Sequence, residues 1–582
     1  MLNWQLGISD SVNDTGSALL IIFGIALVFF MNAGFAMVET GFTRAKNAGN
    51  ILMKNLIDFC IAAPVFWLLG YGLMHGIDNG GFIGTPTNPF TEVDTMKLMF
   101  HMVFCATAAT IVSGAMAERT KFSAYCIYSF AISVLIYPIS GHWIWGGGWL
   151  SQIGFVDFAG STAVHLVGGV CALVGAIILG PRLGKYKKNP STGKLESTAI
   201  PGHSITLGAL GCFILWFGWY GFNGASQYAL GGLEDVVAVS NVLVTTTIAA
   251  ALATITGLII TWVRYKKPDV SMTFNAALAG LVAVTAGCAT VTIAGAAIIG
   301  IIAAFVVVFG IEFIDKKLHI DDPVGAIGVH CLNGALGTIL VGVFSYDKGI
   351  ISGFIYNPDL TASEAFKFLG IQILGVVVVF AWTAALSFGI FMLIKKINGL
   401  RASDEEQILG LDAAEHGLPS AYADFTSAAM SSDGISIITS ASVPVEYHNE
   451  GGAHAYDIDD ADVDKNKFTK VVILARPERF DALKIAFNSI GITGMTVTSV
   501  LGCGMQKGQK MYRGVHVDIN LLPKVKVEIV VCKVPVKLVV DTAKSVLHSG
   551  DFGDGKIFIY DVENVIKVRT GEEGYDALQD VL

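Results

Sequence analysis

The feature that most constrains this chain is a series of eleven long apolar runs, near residues 15–38, 50–74, 97–117, 122–141, 161–180, 203–222, 237–263, 273–291, 293–314, 326–345 and 368–394. A hydrocarbon core of about 30 Å takes about 20 helical residues to cross, so the runs predict eleven transmembrane helices. Composition agrees: 53% of the 582 residues are hydrophobic, only 15% are charged, and the mean hydropathy is +0.62. These are values of a protein living largely in lipid. Past about Leu400 the long apolar runs stop and Asp, Glu and Lys become frequent, which implies a second compartment.

Charge bias between the runs gives an orientation. Arg44, Lys46 and Lys54 follow the first run, Arg119 and Lys121 the third, and Arg182, Lys185, Lys187, Lys188 and Lys194 the fifth. Arg264, Lys266 and Lys267, then Lys316 and Lys317, then Lys395, Lys396 and Arg401 continue the pattern. By the positive-inside rule the N-terminus lies outside and the C-terminus in the cytoplasm, which requires an odd number of crossings. Helices 1–5 and 6–10 then form inverted halves.

Each half carries one histidine early in its last apolar helix: His165, after Asp157 in DFAGSTAVHLVGG, and His330, after DDPVGAIGVH. An ionisable side chain at bilayer depth is costly and survives where it caps a neighbouring helix or faces a polar path. Matching places in two halves favour the path, because inverted repeats put their substrate site at the repeat interface. In GHWIWGGGW, read as an outer loop, Trp143, Trp145 and Trp149 are either interfacial belt residues or offer an indole face to a cation. The nine cysteines show no CxxC spacing and read as small buried hydrophobes. The N-terminus has no basic region before its first apolar run, so no secretory signal is expected.

Residues 401–417 form an acidic amphipathic tail, and 418–468 are polar enough to read as a flexible linker. Alternating runs then resume at KVVILA, MTVTSV, VHVDINLLPKVKVEIVV, KIFIYDV and VIKVR, with helical patterns at 479–490 and 536–548. The βαββαβ order predicts a ferredoxin-like α+β domain over 469–582.

Residues 1 to about 417 resemble the Amt/Mep/Rh family of ammonium transporters. MNAGFAMVETGFTRAKN, GAMAERTKF, WGGGW, VDFAGSTAVHLVGG, WFGWYGFNGAS and DDPVGAIGVH occur in the family's order. Residues 469–582 resemble PII signal-transduction proteins through GMTVTSVLGCGMQKG, YRGV, LLPKVKVEIVV and GDGKIFIYDVENVIKVRTGEEG. The two matches imply a transporter fused to a PII domain, with 1–400 as its membrane part.

The first resemblance implies an outer ammonium-recruitment site at Phe104, Trp145 and Ser226, and a stacked gate at Phe104 and Phe222. It makes His165 and His330 the twin histidines of the pore, with Asp157 as the acid below the recruitment site, assigned to structure or to a proton step. The second resemblance implies ATP or ADP binding at Thr496, Gln506, Gly553, Lys556, Lys567 and Arg569. It implies 2-oxoglutarate, with magnesium on Gln506, at Gln506 and Lys524. Met505 and Lys567 stand where relatives carry arginine, and Val517 where many carry a uridylylated tyrosine. The loop between Gln506 and Tyr512 is one residue short. Arg513 matches the arginine that, in separate PII partners, enters the cytoplasmic exit of the ammonium pore.

The expected protein is therefore a homotrimeric, multi-pass ammonium or ammonia transporter of the plasma or inner membrane with a cytoplasmic nucleotide sensor. A receptor that binds ammonium with little flux and signals through the PII domain is the alternative. An enzyme is not expected, since no nucleophile, base and orienting group are clustered. No permanent cofactor is expected in the membrane part, and no nucleic acid among the partners.

Overall fold

The computed structural model describes residues 15–190, 192–418, 421–422, 467–492, 494–502, 508–512, 515–519, 522–550 and 554–578. The chain divides into two compact units, Met1–Ala421 and Tyr422–Leu582. In the first, ten helices are long and apolar enough to cross a membrane. They are α1 (Thr15–Phe42), α2 (Ala45–His75), α3 (Thr95–Ala115), α4 (Phe122–Gln152), α5 (Ser161–Leu179), α6 (Ile205–Gln227), α7 (Leu233–Tyr265), α9 (Ile293–Lys316), α10 (Ile327–Phe344) and α11 (Ala362–Ile397). The shorter apolar helix α8 (Val270–Thr285) completes eleven among the described residues. Each lies over one predicted run. The expected eighth run stops six residues early, because after Thr285 the chain turns, and Val291 then bridges to Ser345.

Two departures have clear causes. GHWIWGGGW is not a loop: helix continues through Tyr137–Trp145, and Trp143 is buried, its indole N–H donating to Phe82 O at 2.7 Å. The three glycines, poor helix formers, interrupt α4 only after Trp145, before its last turn at Trp149–Gln152. Cys60, expected buried, is exposed.

Glycine permits close helix contacts. A Cβ added at Gly41 of α1 would stand 2.4 Å from Gly208 N of α6, so only glycine lets these backbones meet. Facing outward, α7 exposes Val237, Val244, Ile255, Ile259 and Val263, and α11 exposes Phe366, Val377, Phe388 and Leu393. Such contiguous apolar surface fits lipid or another copy.

At one end of the bundle, charge is buried in a network. Glu118 accepts from Arg44 N at 3.0 Å and from Arg182 Nη1 at 3.1 Å. Arg182 reaches Asp321 through Nε and Nη2, both at 2.9 Å, and Arg119 Nη2 donates to Asp321 O at 2.8 Å. Three arginines counted toward orientation are thus also structural, tying α1, α3 and α5 to the start of α10. The tail docks on the same unit through α12 (Asp404–Leu409) and α13 (Leu411–His416). Asp412 takes Gly49 N at 2.9 Å and Asn50 N at 2.7 Å, and Glu415 takes Phe122 N at 2.7 Å. Acids thereby cap the opening turns of α2 and α4, where free N–H groups and the helix dipole favour negative charge.

In the second unit, β1 (Phe468–Ala475), β2 (Thr496–Gly502), β5 (Leu522–Val531) and β6 (Lys556–Val562) form an antiparallel sheet in the order β6-β1-β5-β2. Helices α14 (Phe480–Ser489) and α15 (Val536–Leu547) complete the expected βαββαβ order. Alternate residues Val471, Ile473 and Ala475, with Val525, Val527 and Ile529, bury one sheet face under Leu483, Phe487, Val539 and Ala543. That is the period of two meeting a helical period. VHVDINLLPKVKVEIVV, read as one strand, is two: β4 (Val515–Ile519) pairs with β3 (Gly508–Tyr512) in a separate hairpin. VIKVR forms no strand, only an isolated Ile566–Glu573 bridge.

The buried network makes a stability prediction. Burial pushes the Glu118 carboxyl up, but the Arg44 and Arg182 guanidiniums and the hydrogen bonds from Arg44 outweigh it, bringing it from 4.5 to about 2. A depressed folded pKa contributes stability that is full above about 4.5 and is lost as pH falls through about 2. Glu118→Gln, which removes the carboxylate shared by buried Arg182 and half-buried Arg44, should cost about 3 kcal/mol of stability at neutral pH. Thermal unfolding in detergent from pH 7 to 3 should show wild type converging on the variant as pH falls.

Candidate functional site: an aromatic mouth above two imidazoles

The two histidines sit on matching local structures. Asp157 accepts from Gly160 N at 2.9 Å and from Thr162 N and Ala163 N, each at 2.8 Å. Asp322 does the same for Gly325 N and Ala326 N at 3.1 Å and Ile327 N at 2.7 Å. Gly160 (φ +115°) and Gly325 (φ +83°) turn the chain through a left-handed conformation open to glycine. The chain then enters a wide π-turn, Ser161–Leu166 in one half and Ile327–Leu332 in the other. π-turns carry a residue out of the ordinary helical register and recur at functional sites. Here they carry His165 and His330.

Four residues after each histidine is a glycine with no room for a side chain. A Cβ at Gly169 would lie 2.2 Å from Cys331 N, and one at Gly334 would lie 2.6 Å from Ser161 O. The π-turns therefore cross in backbone contact, and Thr162 Oγ1 meets Thr338 Oγ1 at 2.7 Å. The imidazoles face each other, Nδ1 to Nδ1 at 3.3 Å and ring centres 5.2 Å apart. One Nδ1 must donate and the other accept, so the pair shares a single proton at this contact. Both rings are buried, and His165 Nε2 has no hydrogen-bond partner among the described residues.

A line of rings leads to this pair. Phe104 and Phe222 stack with centroids 4.0 Å apart at 20°, and Phe222 in turn stacks on His165 at 5.3 Å. Trp145 meets Phe104 edge-on at 6.2 Å, its indole N–H held by Asp157 O at 2.8 Å. Ser226, one turn beyond Phe222, donates its hydroxyl to Phe222 O at 2.8 Å and so keeps oxygen lone pairs to accept from a cation. The expected residues Phe104, Trp145, Phe222, His165 and His330 thus form one continuous chain of ring contacts. Asp157 has its carboxylate spent on backbone N–H groups.

Sequence reasoning missed several neighbours. His101 lies 5.5 Å from Trp145 and 4.4 Å from His75, with its Nε2 at 3.1 Å from Tyr228 OH. Trp219 stacks on His165 at 5.0 Å and anchors its own N–H on Thr285 Oγ1 at 2.8 Å. His101 was legible as the residue three before Phe104, on the same helix face. Beyond His330 a cavity of about 30 Å³ opens, lined by Phe35, Val38, Glu39, Thr110, Asn275 and His330 among others.

The arrangement suits a small nitrogen base and its cation. Stacked rings and a hydroxyl at the mouth can stand in for part of a cation's hydration, while the buried imidazoles offer hydrogen bonds without fixed charge. A bare cation pays heavily for that passage, whereas a neutral molecule loses only hydrogen bonds.

In the second unit the expected nucleotide residues are spread over the sheet. Thr496 opens edge strand β2, opposite Glu528, and Lys524 on β5 faces Val500. Lys556 opens β6 at the other edge, opposite Leu474. Lys567 pairs with Glu572 at 3.6 Å, and Arg569 is exposed. Gln506, Gly553 and Arg513 lie outside the described residues. Gly555 (φ +126°) shapes the turn before Lys556; a Cβ there would stand 1.9 Å from Leu474 O.

Comparison with known proteins agrees with this geometry. Residues 19–421 match the model of the Ammonium Transporter Family, and residues 468–572 match that of the nitrogen regulatory protein P-II. The chain is 44% identical over 422 residues to ammonium transporter Amt2 of Archaeoglobus fulgidus, covering 69% of this chain and 86% of that one. It is 38% identical over 423 residues to ammonium transporter Amt1 of Haloferax mediterranei, covering 69% and 78%. Among solved structures, one titled Sensor Amt Protein matches with TM-score 0.63 and 38% identity, over 70% of this chain and 98% of that one. Candida albicans Mep2 matches with TM-score 0.58 and 27% identity, over 68% and 87%. The chain belongs to the ammonium transporter family and carries a C-terminal P-II domain. It is a multi-pass membrane protein of a transporter family.

The crossing glycines yield a prediction. Gly334→Val should displace α10 from α5 and lower thermal stability by at least about 2 kcal/mol, as overpacking against backbone does. A polar-to-apolar exchange at exposed Glu234 should leave the melting temperature unchanged. Equal melting temperatures for Gly334→Val and wild type would contradict the backbone contact.

Proposed function

We propose that ammonium is recruited at Phe104, Trp145 and Ser226, loses a proton at the stacked Phe104–Phe222 pair, and passes His165 and His330 as ammonia. The observation that carries this reading is the unbroken line of ring contacts from Trp145 to His330. On this reading the N-terminus lies outside, the P-II domain lies in the cytoplasm, and Asp157 serves the path by holding the π-turn. Uptake of labelled methylammonium by cells without other ammonium transporters tests it. Uptake should be saturable, and Trp145→Leu should raise half-saturation by up to about tenfold, the scale of one cation–π contact. Well-inserted protein without uptake would defeat the reading.

The P-II domain binds ADP or ATP through Thr496, Gln506, Gly553, Lys556, Lys567 and Arg569, and 2-oxoglutarate with magnesium at Gln506 and Lys524. Thr496 and Lys556 start strands at opposite edges, three strand spacings or about 14 Å apart. Residues so spread fit a nucleotide held between neighbouring copies, in a homotrimer whose symmetry matches three pores. The expected linker over 418–468 lies largely outside the described residues; on this reading Arg513 is the residue that closes a pore exit.

ADP and 2-oxoglutarate should then change uptake by the intact protein, and Arg513→Ala should remove the inhibited state. The likeness to a protein titled Sensor Amt Protein favours a second reading, signalling with little flux. Uptake indifferent to every P-II ligand and to deletion of residues 469–582 would favour that one.

A further inference from the structure

The path has an inner chamber as well as an outer mouth. His330 forms one wall of the cavity of about 30 Å³, and Glu39, Thr110 and Asn275 form others. A space of that size holds one water or one ammonia molecule. Glu39 is the one carboxylate among the residues lining it, and it is 3% exposed.

Its partners leave it one free place. Oε1 accepts from Lys54 Nζ at 3.1 Å and Ser113 Oγ at 2.8 Å, and Oε2 accepts from Asn55 Nδ2 at 2.9 Å. A carboxylate has about four acceptor sites, so about one remains for a molecule in the cavity. The other titratable groups packed around it are Lys54, Asp58, Tyr125 and His330. Lys54 also lies 5.4 Å over the Tyr125 ring, and Asp58 takes a hydrogen bond from Thr110 Oγ1 at 2.6 Å. A buried ion pair with only a packing role has no reason to line the transport path. Apolar residues would fill the site as well or better.

We propose that Glu39 is the group at which ammonia leaving His330 regains a proton, with Lys54 and Ser113 positioning its carboxylate. The inference rests on the transport reading above. In the step, the O–H bond of the protonated Glu39 carboxyl breaks and a new N–H bond forms on ammonia. The products are a Glu39 carboxylate and ammonium. The carboxylate is reloaded by the proton that ammonium left at the mouth, carried across the His165–His330 contact. Lys54 then has two effects: it keeps the emptied carboxylate stable, and it repels the new cation onward. One positive charge crosses with each ammonia.

The test uses the full chain in proteoliposomes, with transient current and labelled methylammonium uptake measured on the same preparation. Because Glu39→Gln strands Lys54, the E39Q/K54M pair removes both charges together. Its charge moved per methylammonium should fall at least about tenfold, well within the hundredfold or more that general acid–base groups supply, and Glu39→Asp should restore much of it. In wild type, adding ammonium should also change a carboxylic-acid band in the infrared difference spectrum. That change should be missing in Glu39→Gln. An unchanged charge-to-substrate ratio in E39Q/K54M overturns the inference, as does uptake by wild type with no carboxylic-acid band. Wild type without any uptake would instead sink the transport reading itself. If E39Q/K54M fails to insert, the wild-type band and the Glu39→Asp ratio decide.

Discussion

The facing of the two histidines depends on two carboxylates whose oxygens are taken up by backbone. Asp157 and Asp322 each gather three backbone N–H groups just ahead of a π-turn. In a membrane interior those N–H groups have no water to turn to, and an unsatisfied group there costs several kcal/mol. With them satisfied, the chain can leave the ordinary helical register for one turn. The imidazole at the eighth residue after each acid then points at its twin. Ring stacking on Trp219 and Phe222 fixes His165 from the side, so its orientation follows from packing as well as from backbone.

The sequence made the eleven crossings legible, because hydrophobic length is a strong signal and caps such as Thr361–Glu364 mark where helices begin. It also made the paired histidines legible as a pair. Their local frame was present in the same residues but went unread: an acid, glycine three on, histidine eight on and glycine twelve on, in Asp157–Gly160–His165–Gly169 and Asp322–Gly325–His330–Gly334. Glycine in membrane helices looks unspecific in sequence. Only coordinates reveal that Gly169 and Gly334 abut backbone where Gly370 and Gly389 meet open space. Glu39 was hidden for a related reason. It follows seven apolar or small residues in MNAGFAMVE, and nothing in that run tells which face meets the lumen.

Trp143 and Trp145 show how far residue type alone can mislead. Both lie in one motif and both suit an interface, yet Trp143 is buried against Phe82 and Trp382 while Trp145 faces Phe104 and His101. Two residues apart on a helix means nearly opposite sides. Reading the stretch as a loop erased that distinction. In the P-II domain the same kind of error merged two strands into one, because VHVDI and LPKVKVEIVV continue one alternation although they belong to separate sheets.

The charge at one end of this unit, taken only as an orientation signal, hides what it holds together. Arg44, Glu118, Arg182 and Asp321 join the ends of α1, α3 and α5 to the start of α10, the helix bearing His330. On the same face the tail spends Asp412 on the first turn of α2 and Glu415 on the first turn of α4, and Arg401 Nη1 reaches Leu179 O of α5 at 3.2 Å. Lifting the tail would uncover backbone N–H groups of two helices and release the end of a third. The cavity beside His330 is walled by α1, α3, α6, α8 and the α10 approach, so α1 and α3, whose ends join the buried network, also border this cavity. None of the described tail residues lines the cavity, so tail and cavity are linked through the packing of α1 and α3. The tail's own contacts fasten it to the ends of α2, α4 and α5.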